Sequence, residues 1–252
     1  MNIFLRKIVI LYLILFSGIS IASETKEPKN INWSFDGIFG YFDKQSIQRG
    51  FQVYKEVCQA CHSIKYVSYH NLEQIGFSKG EVKSIASEYT VKDGPDDSGE
   101  MFDRPGMPSD RFVPPYQNEN AARAANNGAH PPDLSLMVKA RPEGADYIYS
   151  ILTGYIDPPE GEVVPDGMHY NPYFPGKHIA MTPPLMEGIV TYEDSTHSSV
   201  EQMSKDVVNF LQWAAEPEME QRKIMGVKVI LYLIVFTLVF YLVKRRIWSK
   251  VI

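Results

Sequence analysis

Five consecutive residues concentrate the reactive chemistry of this 252-residue chain: Cys58-Gln59-Ala60-Cys61-His62. They contain both of its cysteines. Two thiols three positions apart, followed at once by an imidazole, form the attachment signature of c-type haem. The thiols add to the haem vinyl groups and the imidazole reaches the iron as proximal ligand. Two other chemistries use a C-x-x-C pair. A thiol–disulfide oxidoreductase expects a thioredoxin-like βαβ setting, which this sequence does not present. A structural zinc site expects a second ligand pair at finger spacing, which is missing. Two cysteines are also too few for a disulfide scaffold.

A six-coordinate electron-transfer haem needs a second axial ligand, usually methionine or histidine. The chain offers ten methionines and five histidines besides His62. Met1 belongs to an N-terminal apolar segment, Met203 to the apolar face of an expected helix, and Met219 and Met225 to the edge of a second apolar segment. Met101, Met107, Met137, Met168, Met181 and Met186 stay open as ligands. Met181 precedes Thr182-Pro183-Pro184, and proline stiffens the loop that presents a sulfur. Met107 has a proline neighbour too, so local chemistry does not separate them.

Several elements must position these groups. Ile47, Phe51, Tyr54, Cys58 and Cys61 recur every three to four residues. This predicts an amphipathic helix with the cysteines at its C-terminal end and Asp43 or Ser46 as N-cap. Ala121 to Ala125 reads as a helix stopped by Asn126-Asn127-Gly128, and Ala145 to Leu152 as one stopped at Gly154. Ser198-Ser199-Val200-Glu201 offers a capping box for a helix with Val200, Met203, Val207, Leu211 and Ala214 on one face, ending before Pro217. Four Pro-Pro pairs punctuate the rest, and no alternating strand pattern, internal repeat or phosphate-binding glycine loop is visible. The fold class expected is mostly α: a cytochrome c-like haem domain with long loop insertions, plus one C-terminal transmembrane helix.

Two apolar segments frame the chain. Residues 1–22 read as a signal peptide, with Arg6 and Lys7 before the unbroken run Ile8–Phe16, then Ser20 and Ala22 at the cleavage positions. Val229 to Val243 carries no charge, and a start at Ile224 with Lys228 snorkelling to the interface gives about 20 residues, enough to cross a bilayer. Lys244, Arg245 and Arg246 follow at once, which sets this end in the cytoplasm. The organisation expected is 1–22 signal peptide, 23–223 exported haem domain, 224–243 transmembrane helix and 244–252 cytoplasmic tail. That places the haem domain on the periplasmic side of a bacterial-type inner membrane.

Apolar residues at 44% and charged ones at 22% exclude disorder along the whole length. The whole-chain charge of −5 hides an asymmetry: the exported part keeps 18 of the 25 basic residues against all 30 acidic ones, a net −12. Such a domain repels nucleic acid and steers cationic partners. Asp93, Asp96, Asp97, Glu100 and Asp103 form its densest acidic stretch.

Longer stretches carry a resemblance. They are Arg49-Gly50-Phe51-Gln52-Val53-Tyr54, Ala121 to Gly128 with Pro131-Pro132-Asp133-Leu134-Ser135, and Leu152-Thr153-Gly154-Tyr155. Asn171 to Gly176, Met181 with its Pro-Pro, and Phe210 to Pro217 complete the set. From about residue 30 to the C-terminus the chain resembles the cytochrome c1 family, the membrane-anchored haem subunits of ubiquinol–cytochrome c oxidoreductase (bc1) complexes of respiratory chains. The resemblance implies one haem c held covalently by Cys58 and Cys61, with His62 and Met181 as iron ligands. It implies Arg141, and more weakly Tyr147, near a haem propionate, a task that suits a guanidinium. His130 stands where better-known members carry an apolar residue.

The implied partners are cytochrome b, the Rieske iron–sulfur protein as electron donor, cytochrome c as acceptor, membrane lipid, and a second copy in a dimeric complex. No side chain need act as acid, base or nucleophile. Two alternatives share parts of the sequence signal: an anchored c-type carrier outside a bc1 complex, and an exported thiol oxidoreductase.

Overall fold

The computed structural model describes residues 25–249; the expected signal peptide and Lys250 lie outside the described residues. Among the described residues six α-helices carry the fold: α1 (Lys44–Glu56), α2 (Lys79–Ser87), α3 (Glu119–Ala125), α4 (Gly144–Leu152), α5 (Val200–Ala215) and α6 (Met219–Trp248). Short 3-10 turns occupy Cys58–Ala60 and Tyr69–Ile75. Long loops join the rest, so the architecture is mostly α with loop insertions, as the sequence predicts.

Helix α1 starts where Asp43 accepts the amides of Gln45 and Ser46. Ser46, the other cap candidate, is buried and its hydroxyl turns to α5 instead. The inner face of α1 buries Ile47, Phe51, Val53 and Tyr54 against α5, which supplies Met203, Val207, Val208, Phe210 and Leu211. Gly50 sits at the crossing: a Cβ there would lie 1.9 Å from the Asp206 carbonyl oxygen. Polar groups bind the crossing too. Asp206 is fully buried and accepts from Ser46 Oγ (2.7 Å), from Arg49 Nε and Nη2 (3.0 Å each) and from Gln202 Nε2 (3.1 Å). The cap of α5 falls on Ser199, whose hydroxyl accepts the Gln202 amide, one position later than Ser198.

Two expectations are corrected. First, the cysteines are not on α1. The helix closes at Val57, and the backbone tightens so that the amides of Cys61 and His62 both donate to the Cys58 carbonyl (3.1 and 2.8 Å). Apolar spacing continued past the helix because the next turn keeps a similar pitch. Second, two short antiparallel hairpins exist. Strand β1 (Thr90–Asp93) pairs β2 (Phe102–Pro105), and β3 (His169–Tyr170) pairs β4 (His178–Ile179). Strands of two to four residues are too short to print a period-two pattern.

The β1–β2 hairpin carries the acidic stretch. Its base is clamped by Arg104, which donates to Asp93 and, with two nitrogens, to Asp110 (2.6 and 2.9 Å). Arg104 holds the Asp110 carboxyl below the usual carboxylate range, helped by the Met107 amide and opposed by partial burial. A depressed carboxylate stabilises the fold above its unfolded pKa and ceases to as pH falls through its lower folded value. The protection of the Gly106 and Met107 amides from exchange, relative to their intrinsic rates, therefore falls below about pH 4. Asp110→Asn makes that protection low and independent of pH across the same window; native-like protection that still falls with pH in the variant would contradict the clamp.

Helix α6 runs 30 residues, about 45 Å, longer than the 20-residue span because it begins inside the domain with Met219 buried. From Val229 to Val243 its large side chains are exposed on all sides. A soluble helix does not present such a surface; a bilayer-spanning one does. Among the described residues, α6 is the one helix long and apolar enough to anchor the chain in a membrane.

Candidate haem site

The site is built where the turn after α1 meets the loop 131–135. His62 Nδ1 lies 2.7 Å from the Pro132 carbonyl oxygen. A carbonyl only accepts, so Nδ1 carries the proton and Nε2 keeps its lone pair free for a metal. Burial lowers the His62 pKa, against the opposing pull of Pro132 and Asp133, so the ring stays neutral as ligation requires.

Asp133 ties the two segments together. It accepts from Ser63 Oγ (2.7 Å) and the amides of Lys65 (2.9 Å) and Ser135 (3.0 Å), while the Leu134 amide donates to the Ser63 carbonyl (2.8 Å). Burial opposes its charge, but these bonds outweigh it and hold the carboxyl below its ordinary range. Tyr54, from the core, donates to the His62 carbonyl at 3.1 Å.

Cys58 and Cys61 are half-buried and not joined to each other. Burial, then the neighbouring Cys61, pushes the Cys58 thiol up to about 12. A redox-active C-x-x-C needs a depressed thiol pKa, so this setting disfavours the oxidoreductase alternative.

Met181 stands on a different structure. Ile151 of α4, Tyr173 and Ile179 of β4 form a second apolar cluster, with Met181, Tyr147, Tyr155 and Phe174 packed against it. Tyr155 donates its hydroxyl to the Met181 carbonyl at 3.1 Å, fixing the loop before Pro183 and Pro184. Tyr147 packs against both this cluster and the main core. Arg141 is exposed, next to Tyr147: burial raises the phenol's pKa and Arg141 pulls against it.

Among the other methionines, Met101, Met107, Met168 and Met186 are exposed, Met203 and Met219 are buried in the core, and Met137 packs against the core. His130 is a surface residue with Nδ1 4.0 Å from Glu119 Oε1. Pro132, Asp133 and Tyr54 were not legible as site residues: a backbone carbonyl that orients a ring leaves no side-chain signal in sequence.

Two unjoined thiols and an imidazole with Nε2 free, flanked by half-buried Val57 and by Leu134 of the 131–135 loop, fit the donor set of a haem. Fold and site together define a mostly helical, haem-binding domain carried on one membrane-spanning helix.

Residues 33–251 match the Cytochrome C1 family. A cytochrome c1 of Arabidopsis thaliana, described as a mitochondrial heme protein, is 50% identical over 240 residues, covering 94% of this chain and 78% of that protein. The cytochrome c1 of Rhodospirillum rubrum is 47% identical over 236 residues, 87% of each chain. A mitochondrial cytochrome b-c1 complex catalytic subunit of Candida albicans is 50% identical over 225 residues, 89% of this chain and 78% of that protein. The chain belongs to the Cytochrome C1 family.

Proposed function

We propose that the chain is the haem subunit of a bc1-type complex, accepting one electron from a Rieske iron–sulfur protein and passing it to a cytochrome c. The observation that carries this reading is the 2.7 Å contact of His62 Nδ1 with the Pro132 carbonyl, directly beside two unjoined cysteines. It leaves Nε2 as a ready-made iron donor. Cys58 and Cys61 would hold one haem c through thioether bonds, with His62 and Met181 as the residues that would ligate its iron. Arg141 and Tyr147 receive a propionate. The haem, when bound, supplies a one-electron Fe(III)/Fe(II) couple.

The chain's own residues do the rest. Pro132 orients the imidazole, and Asp133 fixes the loop that carries this carbonyl. The partners are cytochrome b, the Rieske protein and cytochrome c, in a dimeric complex in a bacterial-type inner membrane. Residues 1–22 act as signal peptide, 23–223 form the periplasmic domain, 224–243 span the bilayer and 244–252 lie in the cytoplasm. An anchored carrier outside a bc1 complex is disfavoured by the similarity to the Candida albicans cytochrome b-c1 complex catalytic subunit.

Cys58→Ala/Cys61→Ala tests the attachment. Haem-linked peroxidase staining of the denatured protein disappears in the double variant, while the wild-type band keeps it. A stain-free wild-type band would overturn covalent attachment.

Docking of the acceptor uses the hairpin. Asp96 accepts the amides of Ser98 and Glu100 and shapes the turn, leaving its charge at an exposed tip. Asp96→Lys/Asp97→Lys slows cytochrome c reduction about tenfold or more at low ionic strength and little near 0.5 M salt. Equal rates at every ionic strength would place docking elsewhere.

A further inference from the structure

We propose that the turn Gly37–Tyr41 is a membrane contact, with Ile38, Phe39 and Tyr41 seated in the headgroup layer beside α6. The proposal rests on the single-helix anchoring described above. Ile38, Phe39 and Tyr41 are 68, 88 and 62% exposed, although the residues just before them, Trp33 and Phe35, are buried and stacked at 5.4 Å. Five residues without a charge, three of them large and apolar, make an exposed patch that a water-facing turn does not call for.

The depth of this turn is set by bonds to the anchor. The Phe42 amide donates to Glu220 Oε1 (2.6 Å), and Lys223 Nζ donates to the Phe35 carbonyl (2.5 Å). The turn is closed between these ties by the Tyr41 amide donating to the Ser34 carbonyl at 2.9 Å. Glu220 and Lys223 lie four residues and one residue before Ile224. At 1.5 Å per residue their backbones sit roughly 6 and 1.5 Å above the start of the apolar span. The interfacial layer is about 5–8 Å thick on each side. A turn tied at both ends to that height lies within the layer that tyrosine and other aromatic rings favour. Lipid is the occupant, because these two ties hold the turn at the height where α6 enters the bilayer. The contact adds a second point of attachment and holds the haem domain at one tilt to the membrane.

Phe39→Cys carrying a nitroxide label tests it, in the complex reconstituted into phosphatidylethanolamine/phosphatidylglycerol vesicles. Phe39 is too exposed for the change to disturb folding. The unsubstituted chain, treated alike, measures label taken by Cys58 and Cys61, which separates failure of the haem reading from failure of this one. Val163→Cys, at a residue 83% exposed, gives the aqueous reference. The expected result is a collision rate with oxygen, relative to a water-soluble nickel chelate, severalfold higher at 39 than at 163. Equal ratios would put the turn in water and overturn the proposal. Protection from both reagents would mean that another subunit covers it, and would overturn it equally.

Discussion

Met181→Leu lowers the midpoint potential of the bound haem by on the order of 0.1 V, within the roughly 0.8 V range that axial ligation controls. Thioether sulfur favours Fe(II), and leucine offers no donor. The variant is nearly isosteric, and Met181 is half-buried on an apolar cluster, so packing changes little. The Tyr155 bond goes to the backbone of residue 181 and survives the substitution. A fall in potential with an unchanged unfolding curve therefore reads ligation alone. Redox titration of the variant decides it: an unchanged potential would place the sixth ligand elsewhere. Met137→Leu, at the half-buried methionine of the main core, is the control that leaves the potential where it was.

Asp206→Ala destabilises the domain by about 3 kcal/mol. The carboxylate is buried at the α1–α5 crossing and satisfies Arg49, Ser46 and Gln202 together. Removing it leaves Arg49 short of its main partner. The loss sits at the low end of the range for a broken buried pair because Arg49 keeps Asp194 (2.8 Å) and the face of Tyr192. Chemical denaturation followed by circular dichroism measures it. The double variant Arg49→Met/Asp206→Leu regains much of the loss, since no charge is then stranded. A loss below about 1 kcal/mol in the single variant would show that apolar packing alone holds the crossing. The crossing matters for the site because α1 leads directly into Cys58: a shift of α5 against Gly50 moves the cysteines.

Helices with a strong apolar face were legible from the sequence. Ile47, Phe51 and Tyr54 mark α1 with Asp43 as its cap, and Val200 to Ala214 mark α5. Other elements were written but not read. Ser78 and Glu81 form a reciprocal cap that opens α2, yet only Val82 and Ala86 of that helix are buried, too few to print a stripe. The hairpins depend on pairing between segments about ten residues apart, which no local pattern encodes. The site divides in the same way. Cys58, Cys61 and His62 declare themselves because covalent attachment demands fixed spacing. Met181 stood level with five other methionines until family resemblance singled it out, since a distal ligand depends on tertiary placement. The Pro132 carbonyl and the Asp133 tie appear only in three dimensions.

The central claim is that this chain carries a c-type haem inside a bc1-type assembly. A reduced-minus-oxidised visible spectrum of the protein, affinity-purified from its own membranes in mild detergent, tests it most directly. The account predicts b-type and c-type signals together, the c-type signal staying with the denatured polypeptide. A spectrum without haem would contradict it and return Cys58 and Cys61 to thiol chemistry.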